Sequence, residues 1–246
     1  MQNCGSREYQ EDYFKNSELP DGSKLFGVFD GHGGGKAAAF VTDNIATTLS
    51  CHPDFLDNLP NALKDSFVAL HQRFLADVSD TSGTTALVAL IRKSKVYLAN
   101  LGDCRALIVD KTGKIVVETK DHTPDSEEEA IKKRGGFVSQ WQNPHRVDGI
   151  LAVARALGDR DIAHHLSQEP DIYEHEISDD THFIILASDG IWNKISAEEC
   201  ARKASISLLS TADSLDAINQ KILVELPDSQ RGDNKTLMII KFDTIP

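Results

Sequence analysis

The chain has 246 residues, 40% of them hydrophobic, which is enough to bury a sizeable core and excludes disorder as the default state. Its 38 acidic residues against 26 basic ones give a formal charge of −12, which excludes a surface built to neutralise nucleic-acid phosphates. Such a surface can serve solubility alone, but several carboxylates converging on one spot would need cations or protons.

The cysteines, Cys4, Cys51, Cys104 and Cys200, are scattered and form no Cys-x-x-Cys pair, so neither a zinc knuckle nor a redox motif is expected. Residues 1–7 contain no apolar stretch, and no run approaches the ~20 apolar residues of a membrane span. The expectation is a soluble cytoplasmic protein, with the nucleus open to it, and no membrane or nucleic-acid partner. No repeat or linker divides residues 1–246, so a single domain is expected.

In chain order, residues 25–29 read as a buried strand, and 35–49 as an alanine-rich helix that follows a glycine cluster. Leu63, Phe67, Leu70, Phe74 and Val78 recur at helical spacing and predict an amphipathic helix over 61–78. Residues 85–91, 96–99 and 106–109 read as strands, and the Leu101-Gly102-Asp103-Cys104 turn predicts a hairpin. From 126 to 134, glutamates lead, basic residues trail and Gly135 follows, the charge order of a short capped helix. After a strand over 183–187, Ser196-Ala197-Glu198-Glu199 is a capping box, and Leu215, Ile218 and Ile222 mark the last helix before a strand over 236–242. Runs of strands between paired helices argue for an α+β fold with antiparallel pairing.

Five segments place acids at strand ends or in turns. Asp30 ends a strand and opens Gly31-His32-Gly33-Gly34; Asp189-Gly190 ends another. Asp233-Asn234 stands just before the last strand, Asp103 sits in the predicted hairpin, and Arg7 lies four residues before Glu11-Asp12. Carboxylate oxygens suit hard cations such as Mg²⁺ and Mn²⁺. Each segment alone is equally an ordinary turn, but adjacent strand ends can gather distant carboxylates into a two-metal site. Gly33-Gly34-Gly35-Lys36 is not a P-loop, because Asp30 occupies the first required glycine position and Ala37 follows the lysine.

The ordered series Arg7-x-x-x-Glu11-Asp12, Val28-Phe29-Asp30-Gly31-His32-Gly33-Gly34, Ser82-Gly83-Thr84-Thr85-Ala86, Asn100-Leu101-Gly102-Asp103-Cys104-Arg105, Asp121-His122-Thr123-Pro124, Ala156-Leu157-Gly158-Asp159, Leu186-Ala187-Ser188-Asp189-Gly190-Ile191-Trp192 and Asp233-Asn234 resembles the type 2C metal-dependent Ser/Thr protein phosphatases along essentially the whole chain. The resemblance implies two antiparallel sheets packed as a central sandwich flanked by pairs of helices, a four-layer α/β/β/α fold. It also implies two Mg²⁺ or Mn²⁺ ions per active site, phosphoprotein substrates, a monomer, and hydrolysis of phosphoserine or phosphothreonine by water held between the two metals.

Carried over by residue, Asp30 bridges both metals with the Gly31 carbonyl on one, Asp189 and Asp233 complete the other, and Glu11 acts directly or through water. Asp12 orients that shell, beside Asn234. Arg7 is either the phosphate clamp or a structural partner of Glu11 or Asp12. His32 is either the proton donor to the leaving oxygen or a solvated turn histidine. Asp103 marks a third metal site, expected to be weak because Asn193 stands where the family often has an aspartate. The chain also departs at its start: the family's additional upstream strand is expected to be absent or truncated, leaving a sheet edge exposed. Residues 135–160 look like the family's flap, where Trp141 is expected to pack or to edge the substrate. The rival reading is an inactive relative that serves as a binding scaffold, against which stand the retained Glu11, Asp30, Asp189 and Asp233.

Overall fold

Strands that bury both faces read as unbroken apolar runs, and the sheets of this protein show why they must. A computed structural model describes residues 1–4, 7–141, 143–209, 214–226 and 232–242. The chain begins with β1 (Gln2–Asn3), β2 (Tyr13–Glu18), β3 (Lys24–Phe29) and β4 (Gly31–His32), followed by helices α1 (Lys36–Ser50) and α2 (Leu59–Asp77). Next come β5 (Gly83–Thr84), β6 (Ala86–Arg92), β7 (Lys95–Leu101), β8 (Arg105–Asp110) and β9 (Ile115–Glu118). Helix α3 (Glu128–Lys133) follows, and residues 135–160 carry β10 (Val138–Ser139), β11 (Arg146–Val147) and β12 (Leu157–Gly158). The chain continues with β13 (Asp171–Glu176), β14 (Thr181–Ala187), α4 (Asp189–Trp192), α5 (Ala197–Leu209), α6 (Leu215–Glu225) and β15 (Lys235–Lys241).

Two five-stranded antiparallel sheets result, ordered β1-β15-β14-β8-β9 and β13-β7-β6-β3-β2. Side chains alternate between layers along each strand. Val28, Leu87, Leu98, Ile108, Ile184 and Leu186 fill the seam between the sheets. Their strand neighbours point outward: Phe29 and Leu90 meet Ile45, Leu63 and Phe67 under α1 and α2, while Phe183 and Ile185 meet Ile218 and Ile222 under α6. The fold is the expected four-layer α/β/β/α sandwich. A satellite core of Ile131, Val147, Val153, Ala154 and Leu166 supports the flap.

The turn at residues 101–104 does not make the expected hairpin. β7 pairs with β6 and β13, whereas β8 pairs with β14 and β9, so Gly102 and Asp103 carry the chain from one sheet to the other. A short loop between two apolar strands cannot by itself say whether the strands pair or part. The hairpin lies one strand earlier, between β6 and β7, where Lys93 takes φ 52° in the two-residue turn. At the chain start, Gln2 and Asn3 pair with Thr236 and Lys235 on the edge of β15.

Candidate active site and metal centre

The acids gather where the two sheets meet. Asp30 follows β3 of one sheet, and its backbone is fixed by the Thr84-Thr85 pair. Thr85 N–H donates to the Asp30 carbonyl at 2.9 Å, the Thr84 hydroxyl donates to that carbonyl at 3.1 Å, and Asp30 N–H donates to Thr85 Oγ1 at 3.2 Å. Asp189 follows β14 of the other sheet, and Asp233 lies just before β15 beside it. Two glycines permit the approach. A Cβ at Gly190 would overlap the Asn234 carbonyl oxygen, and one at Gly31 would overlap the Glu11 carbonyl oxygen.

Asn234 ties the N-terminal segment to this centre: its Oδ1 accepts Glu11 N–H at 2.7 Å, and its Nδ2 donates to the carbonyls of Tyr9 and Cys4, each at 3.1 Å. Asp12 is 2% exposed, and its Oδ2 accepts from Ser188 Oγ at 2.9 Å and Thr236 Oγ1 at 2.7 Å. Sequence reasoning gave Ser188 and Thr236 no part in this, and a lone serine or threonine gives no signal of it.

The electrostatics record how closely the carboxyls sit. Burial pushes the Asp30 carboxyl well above the ordinary aspartate range, and repulsion from Asp12, Asp189, Asp103 and Asp233 adds to it. Asp103 is raised in the same way by burial and then by Asp189 and Asp121. Burial, with Asp233 second, pushes Asp189 up to about 6. Asp12 Oδ1 and Asp189 Oδ1 are buried without a hydrogen-bond partner. Acceptor-only groups crowded in this way fit divalent cations. Besides the hydroxyls on Asp12, two further protein donors reach the cluster: Arg7 Nη2 lies 3.1 Å from Asp233 Oδ2, and Asn193 Nδ2 donates to Asp189 Oδ2 at 3.0 Å. Among the described residues, no group of three His, Cys, Asp or Glu side chains is arranged to hold an ion as it stands.

The raised Asp189 pKa fixes a pH dependence. The folded chain keeps a proton on Asp189 up to about pH 6, whereas an unfolded aspartate releases it near its ordinary 3.8. That contribution is full below the unfolded value and is lost as pH rises through the folded one. The melting temperature of the chelated protein should therefore rise as pH is lowered from 7 to 5, with about 1 kcal/mol from Asp189 across that window and the full contribution of about 3 kcal/mol only below the unfolded value. Asp189→Asn should flatten the slope in a thermal melt series, and a slope unchanged by the substitution would contradict the assignment.

Arg7 pairs with Asp233 rather than with Glu11 or Asp12, and the two side chains are 55% and 40% exposed. An exposed pair of this kind contributes about 0–1 kcal/mol and exchanges readily. The His32 Nε2 faces Asp159, not bulk solvent alone. Asp103, Asp189 and Asn193 share a cleft of about 310 Å³ with Arg105, Asp121, Pro144 and His145 of the flap side. Trp141 is 94% exposed, which excludes the packing role.

Fold and sequence together place the chain in one family of phosphatase domains. The sequence profile described as Protein phosphatase 2C matches residues 3–234, and the chain belongs to that family. It is 35% identical, over 97% of its length, to "Probable protein phosphatase 2C 52" of Oryza sativa subsp. japonica, and 34% identical, over 97%, to "Probable protein phosphatase 2C 69" of Arabidopsis thaliana. The chain spans 49% of the rice relative and 68% of the Arabidopsis one. A serine-threonine phosphatase 2C structure from Toxoplasma gondii shares the fold with a TM-score of 0.85 at 24% identity, covering 99% of this chain and 93% of that one. A C. elegans sex-determining protein shares it at 0.84 and 23%, covering 98% and 63%.

Proposed function

We propose that this chain hydrolyses phosphoserine and phosphothreonine monoesters in phosphoproteins, using Mg²⁺ or Mn²⁺. The observation that carries this reading is the convergence of Asp12, Asp30, Asp103, Asp189 and Asp233, whose burial together and mutual repulsion call for cations. Asp30, the Gly31 carbonyl, Asp189, Asp233 and Glu11 would hold two ions, with Asp103 on a weaker third. When bound, the pair supplies a nucleophile from water near neutral pH and offsets charge on the phosphoryl oxygens.

The protein's own groups do the rest. Arg7 leaves its exposed pair with Asp233 to grip phosphate oxygens through its guanidinium fork. His32 hands a proton to the serine or threonine oxygen as it departs. Asp12, held by Ser188 and Thr236, fixes the seam beneath Asp30. Asn193 supports the weak third site, since its amide N–H already occupies one Asp189 oxygen. The four cysteines are free, which suits a reducing compartment such as the cytoplasm. No described helix is long and apolar enough to cross a membrane. We take the active unit to be a monomer.

Phosphate release from a phosphothreonine peptide with Mn²⁺ is expected, and should be abolished by chelation and by Asp189→Asn. A Mn²⁺ titration should show two ions bound more tightly than a third. A well-folded, Mn²⁺-loaded wild type that releases no phosphate would favour the inactive scaffold instead.

A further inference from the structure

One nearly buried carboxylate beside His32 has no role so far. Asp159 is 8% exposed, and its two oxygens lie 2.8 and 3.0 Å from Nε2 of His32. A carboxylate only accepts, so Nε2 carries the hydrogen and Nδ1 is the ring nitrogen not committed to Asp159.

The backbone is built around this contact. β12, β5 and β4 form a separate three-stranded sheet in which His32 and Gly158 both lie opposite Gly83. Gly83 is where the two side chains meet: a Cβ there would overlap both the Asp159 carboxylate and His32 Nε2. Asp159 takes φ 50°, the left-handed region, which costs a non-glycine residue about 1 kcal/mol or more. It is kept there by its N–H donating to the Ser82 carbonyl at 3.0 Å and by Gly158 N–H donating to His71 Nδ1 at 3.1 Å. Its carbonyl also opens a turn, accepting from Ile162 and Ala163 N–H at 2.9 and 2.8 Å, so backbone and side chain are both committed, the side chain to His32.

We propose that Asp159 is a positioning residue for His32, fixing the tautomer and tilt of the imidazole so that Nδ1 serves the leaving oxygen. The proposal rests on the reading of His32 as proton donor. The ring acts as imidazolium, with a proton on each nitrogen: as the water oxygen bonds to phosphorus and the P–O bond to serine or threonine breaks, the electron pair stays on the departing oxygen, which takes the Nδ1 proton and leaves the neutral Nε2–H tautomer. Asp159 keeps Nε2–H throughout, and the proton released by the attacking water restores the ring.

The test compares kcat of the Mn²⁺-loaded protein on a phosphothreonine peptide, whose leaving alkoxide needs a proton, and on p-nitrophenyl phosphate, whose leaving phenolate needs one far less. Asp159→Asn is expected to lower peptide turnover by about 10–10²-fold, with a loss at least about tenfold smaller on the aryl ester. His32→Gln should show the same split, and the double variant should fall within about twofold of His32→Gln, since the two residues act as a unit. Asparagine and glycine both accept a left-handed φ, so Asp159→Gly carries the comparison if Asp159→Asn does not fold. Equal losses on both substrates, no loss, or additive effects would overturn the proposal. A split in His32→Gln without one in Asp159→Asn removes Asp159 alone. No split in His32→Gln removes the proton-donor reading, and this proposal with it.

Discussion

Asp30→Asn is expected to lower turnover of a phosphothreonine peptide by on the order of 10³-fold or more, about 4 kcal/mol of barrier, while raising the melting temperature of the chelated protein. The two effects have one cause. Burial raises the free energy of the charged form of Asp30, and repulsion from Asp12, Asp189, Asp103 and Asp233 raises it further. Without cations that repulsion opposes folding, and an amide of the same shape relieves it. With cations, a charged carboxylate that would hold them becomes a neutral amide. Phosphate-release kinetics and a melt in chelator measure the two sides separately. A variant that retains a tenth of the activity, or that melts below the wild type in chelator, would contradict the account.

Gly190→Ala should be the most damaging single-methyl change, destabilising by about 2–4 kcal/mol. The added Cβ would overlap the Asn234 carbonyl oxygen and stand 3.0 Å from its carbon and 3.5 Å from Lys235 Cα, all of them backbone. Neither side can give way cheaply, because β14 and β15 are locked in register from Ala187↔Leu237 onward. At roughly 2–4 °C per kcal/mol for a chain of this size, the melting temperature should fall by about 5–15 °C. Activity at a temperature where the variant is folded should fall too, since the same displacement pushes Asp189 from Asp233. A variant within 2 °C of the wild type would show that the two turns have room the structure does not give them.

The strands legible in the sequence were those buried on both faces. β3, β6 and β14 are apolar almost throughout, and their edges were placed within a few residues. β2 (YFKNSE) and β13 (DIYEHE) are sheet edges, and they are not legible because four of the six side chains in each are polar. The acids were legible because Asp-Gly at the end of an apolar run is a local signal. The groups that hold them were not. Ser188 and Thr236 reach Asp12 from 176 and 224 residues away, a contact that no local pattern records. Asp159 was in view within Ala156-Leu157-Gly158-Asp159 but carried no role until its carboxylate was seen against His32. The misread hairpin at Gly102 has the same origin, since pairing partners are a global property of the fold.

That crossing has a mechanical meaning. The chain passes between the sheets at Gly102-Asp103, and the acids stand on both banks: Asp30 on the β3 side, Asp189 and Asp233 on the β14–β15 side. The separation of the banks is set by the apolar layer between them, Val28, Leu87, Ile184 and Leu186 among its members. Those residues touch no phosphate, yet they act as shims beneath the carboxylates. Trimming one would let the sheets settle closer and detune the site from beneath, so a core substitution here should reach the chemistry through spacing as well as through stability.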